Sequence, residues 1–338
     1  MRYKTLVLLL MGIGTLIGMI LFIGPGNIES AIKMANSSYI AFAVLIQFVI
    51  YGLWTWRWSI NINAVHIPIK KIHVFPMVMV GMAVNNITPS ARGGGEPVRG
   101  YILSKYSGSS FEKSFATVIA DRGLDTFPFI VLAIITIVGA VFYLNLPDYA
   151  IYALILAVIV LSTLFLIVIY MSFNLEFGHK VSLWIVGLIK KFSKKDHSQL
   201  EEKAVNSINN FQASMRIMIK NRNVILYSIP ISFLIWILEI FRVYLIFSAF
   251  NVEISFLIIA QVFIISTLIG LIPLLPGGLG AIDGVMILLF SAAGVPPSIS
   301  AAATLVERFV SLWMTSIIGI AMIPYFGTTL IKRITKKV

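Results

Sequence analysis

Long apolar runs alternate with short polar breaks along the chain, and their lengths sort them into two kinds. Runs at 5–23, 39–58, 114–143, 150–173, 224–249 and 299–325 reach the length that a bilayer-crossing helix needs, roughly 20 apolar residues. The run at 74–87 is too short to cross and stops before Pro89, so it reads as a half-helix. It leads into NNITPSARGGGEPVRG at 85–100, which is polar, glycine-rich and charged although apolar segments flank it. A second apolar run, beginning at Ile254, breaks at PLLPGGLG over 273–280. Irregular backbone at membrane depth survives only inside protein or beside a water-filled cavity, because lipid satisfies neither its N–H nor its C=O groups.

The expected fold is therefore an all-α integral membrane protein with six full spans and two re-entrant helical hairpins. Basic residues set its orientation. Arg2 and Lys4 precede the first span, and Lys70, Lys71, Lys105 and Lys113 flank the first hairpin, placing both on the cytoplasmic side. Trp54, Trp56, Trp58 and Arg57 read as a headgroup-level belt at the end of the second span. If 254–275 crossed fully, the last span would carry Lys332, Arg333, Lys336 and Lys337 outside, against the charge rule. A hairpin entering from outside keeps that basic tail in the cytoplasm, with both termini on that side.

This choice produces two halves of opposite orientation. The first repeat is 39–143 with a cytoplasm-side hairpin at 74–107, and the second is 223–325 with an outside hairpin at 254–293. Each ends in a span with an acidic-basic dipeptide, Asp121-Arg122 in one and Glu307-Arg308 in the other. Gly108 and Gly294 each lie 14 residues before those arginines. Between the repeats, 174–222 holds nine Lys or Arg residues, and apolar positions such as Val181, Trp184, Leu188, Phe211 and Met215 recur at helical spacing. That segment reads as a cytoplasmic amphipathic linker. Inverted repeats with interrupted helices point to alternating access around a midplane site.

Composition agrees with the membrane reading. Of 338 residues, 59% are apolar and 12% charged, with a mean hydropathy of +0.95. The net charge of +12 clusters beside apolar spans, where membrane topology and anionic lipid explain it without nucleic acid. Cysteine is absent, which excludes thiolate chemistry and cysteine metal sites. The four histidines show no metal-ligand spacing, and GGGEPVRG lacks the lysine of a phosphate loop, so no cofactor or metal is expected.

The candidate chemistry is recognition of a polar lipid headgroup, anionic or zwitterionic. Gly93, Gly94 and Gly95 in one tip and Gly277, Gly278 and Gly280 in the other allow backbone to approach a ligand. Helices returning from near Pro97 and Ala281 aim positive N-termini at the membrane centre. Arg92 and Arg99 suit bidentate pairing with phosphate. Glu96, Asp121, Arg122, Asp283, Glu307 and Arg308 are intramembrane charges, which mark sites more often than scaffold. Glu239 and Arg242, one turn apart, read instead as a self-satisfied pair. Membrane-embedded transfer chemistry, with Glu96, Asp121 and Asp125 as acid, base or metal ligands, is the alternative.

The sequence NNITPSARGGGEPVRG, then ATVIADRGLD, LLPGGLGAIDG and ATLVERF, resembles the UPF0104 family and is similar to the transmembrane region of lysylphosphatidylglycerol synthases. The resemblance covers nearly the whole chain. It implies lipid translocation without headgroup synthesis, since the aminoacyl-transferring domain of the bifunctional bacterial proteins has no counterpart here. It assigns site positions to Arg92, Gly94, Glu96, Arg99, Asp121, Arg122, Pro276, Gly277, Gly278, Gly280, Glu307 and Arg308, with Asp283 where relatives carry a carboxylate. Related membrane regions accompany glycosyltransferase pathways, so a lipid-synthesis enzyme is an expected partner under the alternative.

Overall fold

The structure, a computed structural model, describes residues 24–88, 93–143, 147–192, 198–271 and 276–335, with Ile17 and Leu21 as isolated helical positions. The expected first span at 5–23, Arg92, the start of the second tip at 273–275, and Lys336 and Lys337 lie outside the described residues. All regular structure among the described residues is helical.

A short helix, α1 (Pro25–Met34), precedes α2 (Ser37–Ala64), whose start is capped by Asn36 accepting the Ser38 N–H at 3.0 Å. Two short helices follow, α3 (Val74–Ile87) and α4 (Gly95–Ser107). Next come α5 (Phe111–Tyr143), α6 (Asp148–Phe173), α7 (Leu175–Phe192) and α8 (Ser198–Lys220). The rest of the chain forms α9 (Arg222–Ala249), the short pair α10 (Phe256–Gly270) and α11 (Ala281–Ala292), then α12 (Pro297–Arg308). A π turn at Phe309–Trp313 joins α12 to α13 (Met314–Thr335), and α5 carries Pro128 within it.

Five helical stretches among the described residues are long and apolar enough to cross a membrane: Ser37–Ala64, Phe111–Ala140, Asp148–Phe173, Arg222–Ala249 and Pro297–Gly327. They match five of the six expected spans. The 14 residues of α3 cover roughly 21 Å at 1.5 Å per residue, short of a hydrocarbon core of about 30 Å. Large apolar side chains such as Phe42, Leu45, Phe142 and Leu156 face outward, as lipid contact requires.

The packing brings the short helices inward. Near the polar break, the Gly95 N–H donates to Asn85 Oδ1 at 2.5 Å, and at the far end the Tyr106 hydroxyl meets His73 Nε2 at 3.2 Å. These two bonds fix α3 and α4 as an antiparallel pair. The returning helix starts at Gly95, two residues earlier than Pro97 suggested. Proline is tolerated there because the first-turn N–H groups have no intrahelical acceptor. Across the molecule α10 and α11 pack on each other, with Ile282 lying over Gly270 and Gly278.

The longest shared seam runs between α2 and α9. Its polar contacts, Arg57 to Ser232 and Gln47 to Arg242, step in opposite directions along the two chains, so the helices are antiparallel. The amphipathic α8 docks on the end of α6. Gln212 Nε2 donates to the carbonyls of Met171 and Asn174 at 2.5 and 3.0 Å, and Arg216 to that of Phe173 at 2.6 Å, satisfying carbonyls that a helix end leaves open. Phe211, Met215 and Met218 are buried in protein, so part of the apolar stripe expected in the linker is covered by the bundle.

Close approach of α3 to α13 depends on Gly319, where an added methyl would overlap the Met79 carbonyl oxygen. Gly319→Ala is expected to destabilise by about 1–3 kcal/mol through overpacking. Gly327→Ala, with open space around it, is expected to leave the melting temperature in detergent unchanged. Equal melting temperatures for the two variants would remove the contact from the account.

Candidate functional site

Polar side chains from the bundle converge on an internal cavity of about 600 Å³. Its charged lining pairs Arg57, Arg99, Arg122, Arg242 and Arg308 with Glu96, Asp121, Asp125, Glu239 and Glu307. Formal charges of the two signs balance, and α2, α4, α5, α9 and α12 deliver them.

On one side, Asp121 holds two guanidiniums. Its Oδ1 accepts from Arg57 Nε at 2.9 Å and its Oδ2 from Arg99 at 3.0 Å. Arg57 also reaches Asp125 Oδ1 at 2.6 Å and the Ser232 hydroxyl at 2.9 Å. The Arg99 guanidinium lies 4.1 Å from the centre of the Trp58 ring, a cation–π contact, and its stem fills the space left by Gly81. All three charged groups are buried. Buried charges at this density survive only when each is paired, because desolvation alone costs several kcal/mol per ion.

The opposite side repeats this scheme with other residues. Arg242 donates to Glu307 Oε1 at 2.9 Å and to Gln47 Oε1. Arg308 Nε lies 2.9 Å from Asp283 Oδ1, and a second Arg308 nitrogen donates to the Gly277 carbonyl at 2.7 Å. Asp283 in turn accepts the Gly280 N–H at 2.6 Å. Gly277, Gly278 and Gly280 adopt φ of 60°, 67° and 79°, a region that disfavours any side chain. The second tip is thereby clamped between Asp283 and Arg308.

The two tips are neighbours. A methyl on Gly277 would fall 2.9 Å from the Asn86 carbonyl oxygen. Asn86 itself donates to the Leu312 carbonyl at 3.2 Å and the Ser316 hydroxyl at 2.9 Å.

Arg122 differs from every other arginine in the cavity. It stands 3.9 Å from both Glu96 and Asp125, beyond hydrogen-bond range, and its side chain is 36% exposed. Beside it, Glu96 accepts from Asn85 through Oε1 at 3.3 Å while Oε2 is buried with no protein partner. A loosely held cation and an unsatisfied carboxylate oxygen thus share one wall of the cavity.

Of the residues singled out by sequence, Glu96, Arg99, Asp121, Arg122, Glu307 and Arg308 line the cavity. Asp283 and the glycines Gly277 and Gly280 support it from behind through Arg308. Gly93 is exposed, Gly94 caps α4, and Gly95 is buried against Gly81. These three shape the tip rather than the lining. Pro276 sits in a short 3-10 turn, and Arg92 lies outside the described residues.

Three further charged residues, which the sequence did not place in the headgroup site, line the cavity. Arg57, read as a headgroup anchor, is 4% exposed and pairs with Asp121 and Asp125. Trp58 beside it is fully buried, whereas Trp56 is exposed. Arg242, expected to satisfy Glu239 within one helix, bonds Glu307 across the bundle. Asp125, an acid, base or metal ligand under the alternative reading, accepts from Arg57 at 2.6 Å. The available signal was the face of α2 on which Gln47, Tyr51, Trp54, Arg57 and Asn61 recur every three or four residues, a polar stripe along an otherwise apolar span.

Comparison with known proteins agrees with the motifs. The family model for the lysylphosphatidylglycerol synthase TM region matches residues 6–319. A UPF0104 membrane protein from Methanothermobacter thermautotrophicus is 54% identical over 337 residues, covering 100% of both chains. Another from Methanocaldococcus jannaschii is 32% identical over 98% of this chain and 96% of its own. A phosphatidylglycerol lysyltransferase from Staphylococcus aureus is 34% identical over 110 residues, which are 32% of this chain and 13% of the relative. Five membrane-length helices, the polar cavity at the two glycine tips and the full-length matches together place the chain in the lysylphosphatidylglycerol synthase transmembrane family, among the UPF0104 membrane proteins.

Proposed function

We propose that the protein moves a phosphate-bearing lipid headgroup between the leaflets of the cell membrane by alternating access. The observation that carries this reading is Arg122, half-exposed in a buried cavity, 3.9 Å from its nearest carboxylates and next to an unpaired Glu96 oxygen. A loosely held guanidinium that can donate to phosphate oxygens and a carboxylate oxygen that can accept from a hydroxyl or ammonium match a headgroup with both kinds of group. The staphylococcal relative is named for acting on phosphatidylglycerol, which makes that lipid the first probe and a polyprenyl-linked lipid the second.

In this reading 39–143 and 223–325 are inverted repeats, with re-entrant hairpins at 74–107 from the cytoplasm and 254–293 from outside. The linker at 174–222 and both termini are cytoplasmic. Corresponding contacts support the comparison: Arg57 meets Asp121 as Arg242 meets Glu307, and α3 lies on α13 as α10 lies on α5. The pairs Glu96–Arg122 and Asp283–Arg308 are then equivalent, one open at 3.9 Å and the other closed at 2.9 Å. Exchange of these two states is the switch: closing Arg122 on the first tip as Arg308 releases the second would turn access from one face to the other.

The test is leaflet exchange of labelled phosphatidylglycerol in liposomes. Arg122→Ala is expected to slow it about ten- to a hundredfold, the loss of a charge-assisted bond of about 1.5–3 kcal/mol. The melting temperature should hold, because Arg122 makes no short ion pair. Unchanged exchange in this variant sinks the role of Arg122. Formation of a new lipid species by the purified protein would replace transport with transfer chemistry.

A further inference from the structure

Helix α6 is the most sparsely packed of the five long spans, with only Leu154, Val158 and Ser172 buried. Yet Ala157, Val160, Leu161 and Leu164 line the same cavity that Arg122 lines. Their spacing of three and four residues places them on one helical face. Val160 and Leu164 remain 49% and 56% exposed while doing so, so the wall they make is a rim and not a closed partition. Phe263, Thr267 and Leu268 of the neighbouring α10, all buried, line the same cavity and add an apolar surface broken by a single hydroxyl. Gly123, the residue after Arg122, has Phe165 of α6 as its neighbour, which sets the rim beside the loosely held cation.

Resting on the transport reading above, we propose that the cavity opens sideways into the hydrocarbon layer between α6 and α10. Its ligand is a lipid that keeps its chains in the bilayer along Val160 and Leu164 while its phosphate reaches Arg122. The chemistry selects this occupant. A water-soluble phosphate would satisfy Arg122 but would make no use of the apolar rim. A chain-bearing phosphate satisfies both surfaces at once, with apolar contact at the rim and a charge-assisted pair at the floor. A bulky side chain at the rim therefore blocks the ligand without touching a charge.

The experiment uses the full chain in nanodiscs containing phosphatidylglycerol with a mid-chain diazirine, photolysed and mapped by mass spectrometry. Cross-links are expected to concentrate on 157–164 and 263–268, above those on Tyr152 and Leu156, which are exposed on α6 but do not line the cavity. The paired substitution Val160→Trp and Leu164→Trp should lower cross-linking at 263–268 roughly tenfold or more, as bulk placed in an apolar pocket does. Cross-linking at Tyr152 and Leu156 should not change, and the unchanged melting temperature confirms that the variant is folded. Labelling that is uniform around α6, or is indifferent to the tryptophans, overturns the portal. So does loss of the cavity labelling on addition of inorganic phosphate alone, which would assign the site to a soluble anion. Cavity labelling without leaflet exchange would keep the portal and remove the transport reading, whereas exchange with labelling elsewhere would do the reverse.

Discussion

Asp121→Asn is expected to destabilise the protein by about 3–5 kcal/mol, the usual cost of removing one partner from a buried ion pair. Asp121 is 2% exposed and is shared by Arg57 and Arg99, themselves 4% and 7% exposed. The amide keeps the shape of the carboxylate but carries no charge, so two guanidiniums are left facing each other. Arg57 retains Asp125 at 2.6 Å. Arg99 retains only its position over Trp58, and its Nε is already unpartnered. A second substitution, Arg99→Met, should therefore recover part of the loss, giving a coupling that a double-mutant cycle in detergent reads directly. Glu29→Gln, which breaks an exposed pair with Lys33, should change nothing measurable. A cost for Asp121→Asn as small as that of Glu29→Gln would show that the charges are solvated and the cluster is not a buried network.

The second large effect lies at the other tip and has a direction as well as a size. Asp283→Asn should cost about 3–5 kcal/mol, because it leaves the buried Arg308 with only the Gly277 carbonyl. Arg308→Met should cost less, by about 1–2 kcal/mol. The stranded Asp283 still accepts the Gly280 N–H at 2.6 Å and sits in the first turn of α11, where the helix end is positive. Each variant removes one of the two holds on the glycine tip, and thermal unfolding of the purified proteins ranks them. The reverse order would mean that the helix end contributes nothing to holding the carboxylate.

Much of the bundle was legible because apolar length is a strong signal. The short runs at 74–87 and after Ile254 stood out against spans of bilayer length, and both fold as short helices beside a glycine tip. The charged lining was only half legible. Glu96, Arg99, Asp121 and Arg122 were found because they interrupt or follow a tip, which sequence displays as a break in pattern. Arg57 was missed because one arginine among tryptophans looks the same whether it lies at the headgroups or in the core. What distinguishes the two is the partner, and Asp121 lies 64 positions away. For Arg242 a carboxylate one turn away offered a local explanation, and the bond across the bundle went unseen because its acceptor, Glu307, comes from another span.

The irregular turns in the two long charged spans bear on how such a structure can move. In α5, Pro128 has no N–H, so the Leu124 carbonyl loses its helical donor just beyond Arg122. In the last span the π turn Phe309–Trp313 begins directly after Arg308. Each span is thus divided mechanically into a stiff stretch carrying the charges and a compliant one without them. Under the transport reading proposed above, a swing of one half against the other would be absorbed past the arginines, with the salt-bridged segments moving as rigid levers.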